Sequence, residues 1–272
     1  MEVWLAKEGI FPIVNDKTGQ PLPYLPASGF SFPGTIQGEG KLSGMPSLFI
    51  RLAGCNLYCV WKAEYNQVYK CDTPHASISI YGSYITSVED IVDVIRVNRG
   101  ALHHLVITGG EPFLQAPAIS ELCQQLKQVH PFHITVETNA TIFDEAVAAH
   151  VDLFSLSPKL ASSVPPPPHA AQHEKLRRNP GVIQQFISYA QKHGKSFQLK
   201  FVYASEQDIP EIKQLLSSLH GWQNEDILLM PIGYTPLELQ RTIPQTLEQC
   251  IQNGWRYCDR LQISLFGTKE GV

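Results

Sequence analysis

The sequence predicts an α/β protein with a mainly parallel sheet. Apolar runs of strand length alternate with helical periodicity from about residue 46 onward. The segments between those runs are long enough for right-handed crossovers. The chain has 272 residues, enough for one large core. Periodicity does not choose between an open sheet and one curled into a barrel.

The first forty residues are rich in Gly and Pro with little periodicity, and residues 1–31 read as an N-terminal extension. Strands are expected at Pro46–Leu52, Leu105–Thr108, Ile134–Glu137, Leu153–Leu156, Phe197–Tyr203, Ile227–Met230 and Leu261–Phe266. Between them, Val88, Ile91, Val92 and Ile95 mark a helix whose cap is Ser87, with Asp90 three residues on. Ile119, Leu122, Cys123 and Leu126 mark a second helix, and Val182, Ile183, Phe186, Ile187 and Ala190 a third. Residues 162–181 contain the run Pro165–Pro168 and read as a long, mobile Pro-rich connection.

Composition narrows the function classes. Lys and Arg number 21 against 25 Asp and Glu, a formal charge of −4 that speaks against a nucleic-acid surface. No apolar run reaches the roughly 18 residues of a membrane span, and the first residues lack a signal-peptide layout. A soluble, cytoplasmic protein is expected. Six cysteines in such a chain suit ligands, reactive thiols or core positions better than disulfides. Cys123 and Cys250 fall on apolar helical stripes and read as core, while Cys258 has no assignment.

Cys55, Cys59 and Cys71 follow the strand Pro46–Leu52 on a loop where α/β folds collect ligands. Burial as small apolar residues does not suit their polar neighbours Asn56, Lys62, Glu64, Asn66, Gln67, Lys70 and Asp72. Zinc with His75 as fourth ligand is a competitor, although zinc motifs normally add a second close pair. Three thiolates on a cubane iron-sulfur cluster would leave one iron open to a ligand. Polar residues also stand at the next three strand ends: Gly109-Gly110-Glu111-Pro112, Glu137-Thr138-Asn139 and Ser157-Pro158-Lys159.

Three cysteines followed by GGEP resemble the radical S-adenosylmethionine enzymes. The segments TIQGEG (35–40), FIRLAGCNL (49–57) and CDT (71–73), with ETN (137–139) and SPK (157–159), are similar to the 7-carboxy-7-deazaguanine synthase family from about residue 32 to Val272. The spacing departs from the superfamily's usual three then two: here it is three and then eleven, as though residues 62–70 were inserted. Loop length adds only logarithmically to closure entropy, so all three cysteines are kept as ligands. Lys70 stands where an aromatic residue normally packs on adenine, leaving Trp61 or Tyr69 as substitutes.

The resemblance implies a partial (β/α) TIM-like barrel over residues 32–272. It further implies a 4Fe-4S cluster on Cys55, Cys59 and Cys71, whose open iron chelates S-adenosylmethionine. The 5′-deoxyadenosyl radical so generated would turn 6-carboxy-5,6,7,8-tetrahydropterin into 7-carboxy-7-deazaguanine and ammonia, an early step toward queuosine. Gly109, Gly110 and Glu111 would hold the methionine end. Glu137, Asn139, Ser157 and Lys159 would serve the ribose and methionyl carboxylate. Gln37, Glu39 and Thr108 would face the pterin, and the planar fork of Arg51 would take its carboxylate. Thr73 would bind Mg2+, and Val272 would lie near the substrate. A homodimer and an electron donor such as flavodoxin or ferredoxin are also implied. The competing readings are a radical-generating activase of a protein partner and a zinc-stabilised binding module.

Overall fold

A computed structural model describes residues 1–63 and 67–272. Its strands are β1 (Glu2–Phe11), β2 (Thr35–Ile36), β3 (Pro46–Leu52), β4 (Val60–Lys62), β5 (Val68–Lys70), β6 (Tyr84–Ser87), β7 (His104–Gly109), β8 (His133–Thr138), β9 (Leu153–Leu156), β10 (Ser196–Tyr203), β11 (Ile227–Pro231) and β12 (Arg256–Tyr257). The helices are α1 (Pro74–Ser77), α2 (Val88–Asn98), α3 (Ala116–Val129), α4 (Glu145–Ala148), α5 (Ala170–Arg177), α6 (Pro180–Lys192), α7 (Asp208–Ser217), α8 (Pro236–Asn253) and α9 (Leu261–Phe266).

The main sheet runs β12-β11-β10-β9-β8-β7-β3-β1-β6, with β2 paired to β3. Every neighbour pair from β12 to β3 is parallel, whereas β1, β2 and β6 are antiparallel additions at one side. Among the described residues no ladder joins β12 to β6, so the sheet is a partial barrel. Its core includes Leu48, Ile50, Leu105, Ile107, Ile134, Val136, Phe154, Phe186 and Phe201. Ser87 caps α2 by accepting from the Asp90 N–H, as expected. Among the described residues no helix is long and apolar enough to cross a membrane.

Three segments differ from the sequence expectation. Residues 1–31, expected as an extension, hold β1, which lies inside the sheet between β3 and β6. Its apolar alternation is interrupted because the register shifts between Leu5 and Ile10, where Gly9 takes a left-handed φ of 55°. Leu261–Phe266 alternates like a strand but folds as α9, anchored when the Leu261 N–H donates to the Gly38 carbonyl. Residues 162–181 hold α5 rather than a bare connection. Helix α5 is polar, and its anchors are single buried groups, His173 and Arg177, which periodicity does not register. The suggested insertion 62–70 takes in Lys62 of β4 and all of β5, which pair as a hairpin; Glu64, Tyr65 and Asn66 lie outside the described residues.

Candidate active site

A cavity of about 510 Å³ opens at the carboxyl ends of the parallel strands, where β7, β8, β9, β10 and β11 each contribute lining residues. Cys55, Cys59 and Cys71 all line it, and all three are free thiols. The hairpin explains how the long spacing closes. Val60 pairs with Lys70 and Trp61 with Tyr69, so the same register, continued by one residue, sets Cys59 opposite Cys71. Trp61 and Tyr69 fix the hairpin by packing with Leu57, Ala204 and Ile232. Burial above all pushes the Cys55 thiol up to about 11 and the Cys59 thiol higher still. A metal must therefore displace their protons on binding.

The wall beside the thiols comes from strand ends. At Gly109 (φ 133°) a Cβ would stand 2.2 Å from the Leu52 carbonyl oxygen, and at Gly110 it would stand 1.9 Å from that of Gly54. Both glycines are thus required for β7 to lie this close to the loop after β3. Asn139 Nδ2 points at Cys55 Sγ from 3.8 Å and donates to Asn56 Oδ1 at 2.9 Å. Ala140 behind it adopts a φ of 60°. Lys159 Nζ donates to Ser157 Oγ at 2.7 Å and lies 5.9 Å from the Trp61 ring centre. Of the two candidate aromatics only Trp61 faces the cavity; Tyr69 packs edge-on against Tyr234.

Support for this wall comes from the Pro-rich segment. His173 Nδ1 accepts from the Tyr58 N–H at 3.2 Å, and burial drives its pKa down to about 4, keeping it a neutral acceptor. Arg177 bonds Glu211 and Glu174 and also donates to the Lys159 carbonyl at 3.3 Å.

The lining also carries two polar networks. Glu137 accepts from Gln37 Nε2 at 3.1 Å and from Thr108 Oγ1 at 2.8 Å. Glu39 accepts from Lys200 Nζ at 2.5 Å, Gln262 Nε2 at 2.8 Å and Arg260 Nε at 3.2 Å. Burial would raise the Glu39 pKa, but the Lys200 and Arg260 charges hold the carboxyl well below its ordinary range. Arg260 also reaches Asp72 at 2.6 Å and the Gly233 carbonyl at 2.6 Å, joining this network to the cysteine segment. Arg51 lies over the Phe11 ring, 5.0 Å from its centre. Thr73, 3.6 Å from Cys71 Sγ, and Val272 complete the lining.

Fifteen of the sixteen residues expected at the site line this one cavity; Glu111 does not. It is fully buried behind the wall, where it accepts from the Phe113 N–H, the Asn139 N–H and Thr138 Oγ1. It thus braces the ends of β7 and β8. His75, weighed as a fourth ligand beside the cysteines, faces Glu8 instead. Sequence reasoning missed Glu8, Lys200, Arg260 and Gln262. Lys200 had a signal in being the one charge within the apolar strand FQLKFVY; Arg260 had none. Cys258, unassigned before, is buried and accepts from the Gly40 N–H at 3.1 Å.

Comparison with known proteins agrees with this geometry. The radical SAM superfamily model matches residues 50–216. The chain is 36% identical to the 7-carboxy-7-deazaguanine synthase of Rhodopirellula baltica over 240 residues, covering 87% of this chain and 85% of that protein. Identity to the protein of that name from Halobacterium salinarum is 35% over 245 residues, covering 85% and 87% respectively. The crystal structure of QueE from Escherichia coli superposes with a TM-score of 0.58 over 92% of this chain and 93% of that one, at 23% identity, and so shares the fold. Family model, relatives and fold together place the chain in the radical SAM superfamily and, within it, in the 7-carboxy-7-deazaguanine synthase family.

Proposed function

We propose that the chain converts 6-carboxy-5,6,7,8-tetrahydropterin to 7-carboxy-7-deazaguanine with loss of ammonia. The observation that carries this reading is the meeting, in one cavity, of three free thiols with the polar groups of Gln37, Glu39, Arg51, Thr108 and Glu137. The donor set fits a 4Fe-4S cluster: Cys55, Cys59 and Cys71 would hold three irons, and among the described residues no fourth cysteine lines the cavity. When bound, the cluster and S-adenosylmethionine supply the radical that abstracts hydrogen from the substrate.

The chain's own groups then bind and orient. Gly109 and Gly110 leave backbone exposed to the methionine end, while Asn139, Ser157 and Lys159 offer polar partners along the same wall, and Trp61 gives an aromatic face for adenine. Glu137, held by Gln37 and Thr108, would serve the cofactor side of the cavity. The Arg51 guanidinium can take a carboxylate in two parallel hydrogen bonds. Thr73 would offer its hydroxyl to Mg2+, which keeps several waters and needs few protein ligands. An external one-electron donor of the flavodoxin or ferredoxin kind and a homodimeric assembly belong to the same proposal.

The test is anaerobic turnover by cluster-loaded protein with S-adenosylmethionine, reductant, Mg2+ and the carboxytetrahydropterin. Formation of both deazaguanine and 5′-deoxyadenosine is expected. Deoxyadenosine alone would refute the substrate assignment, and neither product from protein shown to hold its cluster would refute the radical chemistry.

A further inference from the structure

We infer that Arg260 is a positioning residue: its guanidinium ties the Glu39 loop to the cysteine segment at Asp72 and so fixes where a substrate lies relative to the cluster. The inference rests on the function proposed above and names what joins the two parts of that site. Arg260 is buried at the start of α9. Its Nε donates to Glu39 Oε1 at 3.2 Å, Nη1 to the Gly233 carbonyl at 2.6 Å and Nη2 to Asp72 Oδ2 at 2.6 Å. A planar fork serves three such directions at once, whereas a lysine ammonium is a compact point charge. Asp72 is flanked by Cys71 and Thr73, the first proposed for the cluster and the second for Mg2+. The guanidinium also lies 5.6 Å from the centre of the Tyr234 ring, whose hydroxyl donates to the Lys70 carbonyl beside Cys71.

Each part also has contacts of its own. The neighbours of Arg260 grip the Glu39 loop: Cys258 Sγ accepts from the Gly40 N–H at 3.1 Å, the Leu261 N–H donates to the Gly38 carbonyl at 3.0 Å, and Gln262 Nε2 donates to Glu39 at 2.8 Å. A Cβ at Gly38 would stand 2.9 Å from the Gln262 backbone nitrogen, so the loop lies against this segment with no room for a side chain. The cysteine segment is held by the pairing of Val60 with Lys70. Losing the bridge therefore leaves each part in place but lets the separation between them vary. The step at stake breaks a C–H bond on the substrate as one forms on the 5′ carbon of the deoxyadenosyl radical. Misplacing reacting groups by about 1 Å costs on the order of a hundredfold in rate. A radical formed beside a misplaced substrate is quenched elsewhere, so cofactor cleavage continues while product is lost.

The test compares cluster-loaded wild type with Arg260→Lys, which keeps the charge but not the fork, and with Asp72→Asn. The Asp72 side chain is 43% exposed, so the second variant keeps the test open should the first fail to fold. Deoxyadenosine formed per deazaguanine should rise at least about tenfold in Arg260→Lys and move in the same direction in Asp72→Asn. A readout apart from turnover is pulsed ENDOR of the reduced cluster, with the pterin deuterated at C6 and S-adenosylhomocysteine replacing the cofactor so that no cleavage occurs. A single sharp deuterium coupling is expected in wild type and a weaker or broadened one in both variants. Equal losses of deoxyadenosine and product would show a merely structural role, and an unchanged deuterium coupling in the variants would show that the bridge does not set the separation; either overturns the inference. Wild type that forms no deazaguanine would instead overturn the proposed function, and this inference with it.

Discussion

The buried pair of cations around Glu39 makes Glu39→Gln a severe substitution for the fold itself. The Lys200 and Arg260 side chains are each 7% exposed and that of Glu39 13%. Replacing the carboxylate with an amide leaves two buried cations without the negative charge they share. Removing one partner of a buried ion pair costs about 3–5 kcal/mol. Unfolding entropy of about 2.1 cal/mol/K per residue, taken over 272 residues, is about 0.57 kcal/mol/K, so a loss of about 4 kcal/mol lowers Tm by about 7 °C. The assay is thermal and urea unfolding of wild type and variant in the same cluster state. The pH dependence has a definite sign. The folded pKa of Glu39 is depressed, so its contribution is complete above the ordinary value of 4.5 and fades as pH falls toward the folded value. The gap between wild type and variant should therefore narrow on acidification to about pH 3. A gap below about 1 kcal/mol at neutral pH, or one that does not change with acid, would refute the reasoning.

Three further outcomes follow from the site. Deleting residues 62–70 removes the β4–β5 ladder but leaves only Val60 and Trp61 between Cys59 and Cys71, so iron and sulfide content after reconstitution should stay at the wild-type level; loss of the cluster would show that the hairpin shapes the site. Asn139→Asp keeps the acceptor that holds the Thr141 N–H at 3.0 Å but replaces the donor facing Cys55 with an anionic oxygen. The cluster's reduction potential, followed by EPR during a redox titration, should fall, and an unchanged potential would count against the contact. His173 has a folded pKa lowered to about 4 from 6.5 by burial, so its stabilising effect is present above 6.5 and lost as pH drops through 4. Wild type should lose on the order of 3 kcal/mol more than His173→Gln across that window in urea unfolding, and equal losses would contradict it.

Much of the sheet was legible because its strands are bounded by local signals: Pro46–Leu52 and Leu153–Leu156 fall on the residues expected. What escaped depends on partners distant in sequence. The bulge at Gly9 hides β1 from a test for alternation, although β3 and β6 hold it on both sides. Arg260 is 221 positions from the Glu39 it holds, and a strand-end carboxylate such as Glu111 does not announce in sequence that it is buried against the end of β8. The cysteines show the same limit most clearly. Along the chain, the spacing from Cys59 to Cys71 is a departure that only the small entropic cost of a longer loop reconciles with a three-thiol site. Across the hairpin it is none, because the pairing of Val60 with Lys70 returns the chain to within one residue of where it left. Two ligands separated by a hairpin are neighbours whatever its length, provided the register at its base is kept. A short residue count and a paired hairpin base are therefore two equivalent ways to bring the same two thiols together.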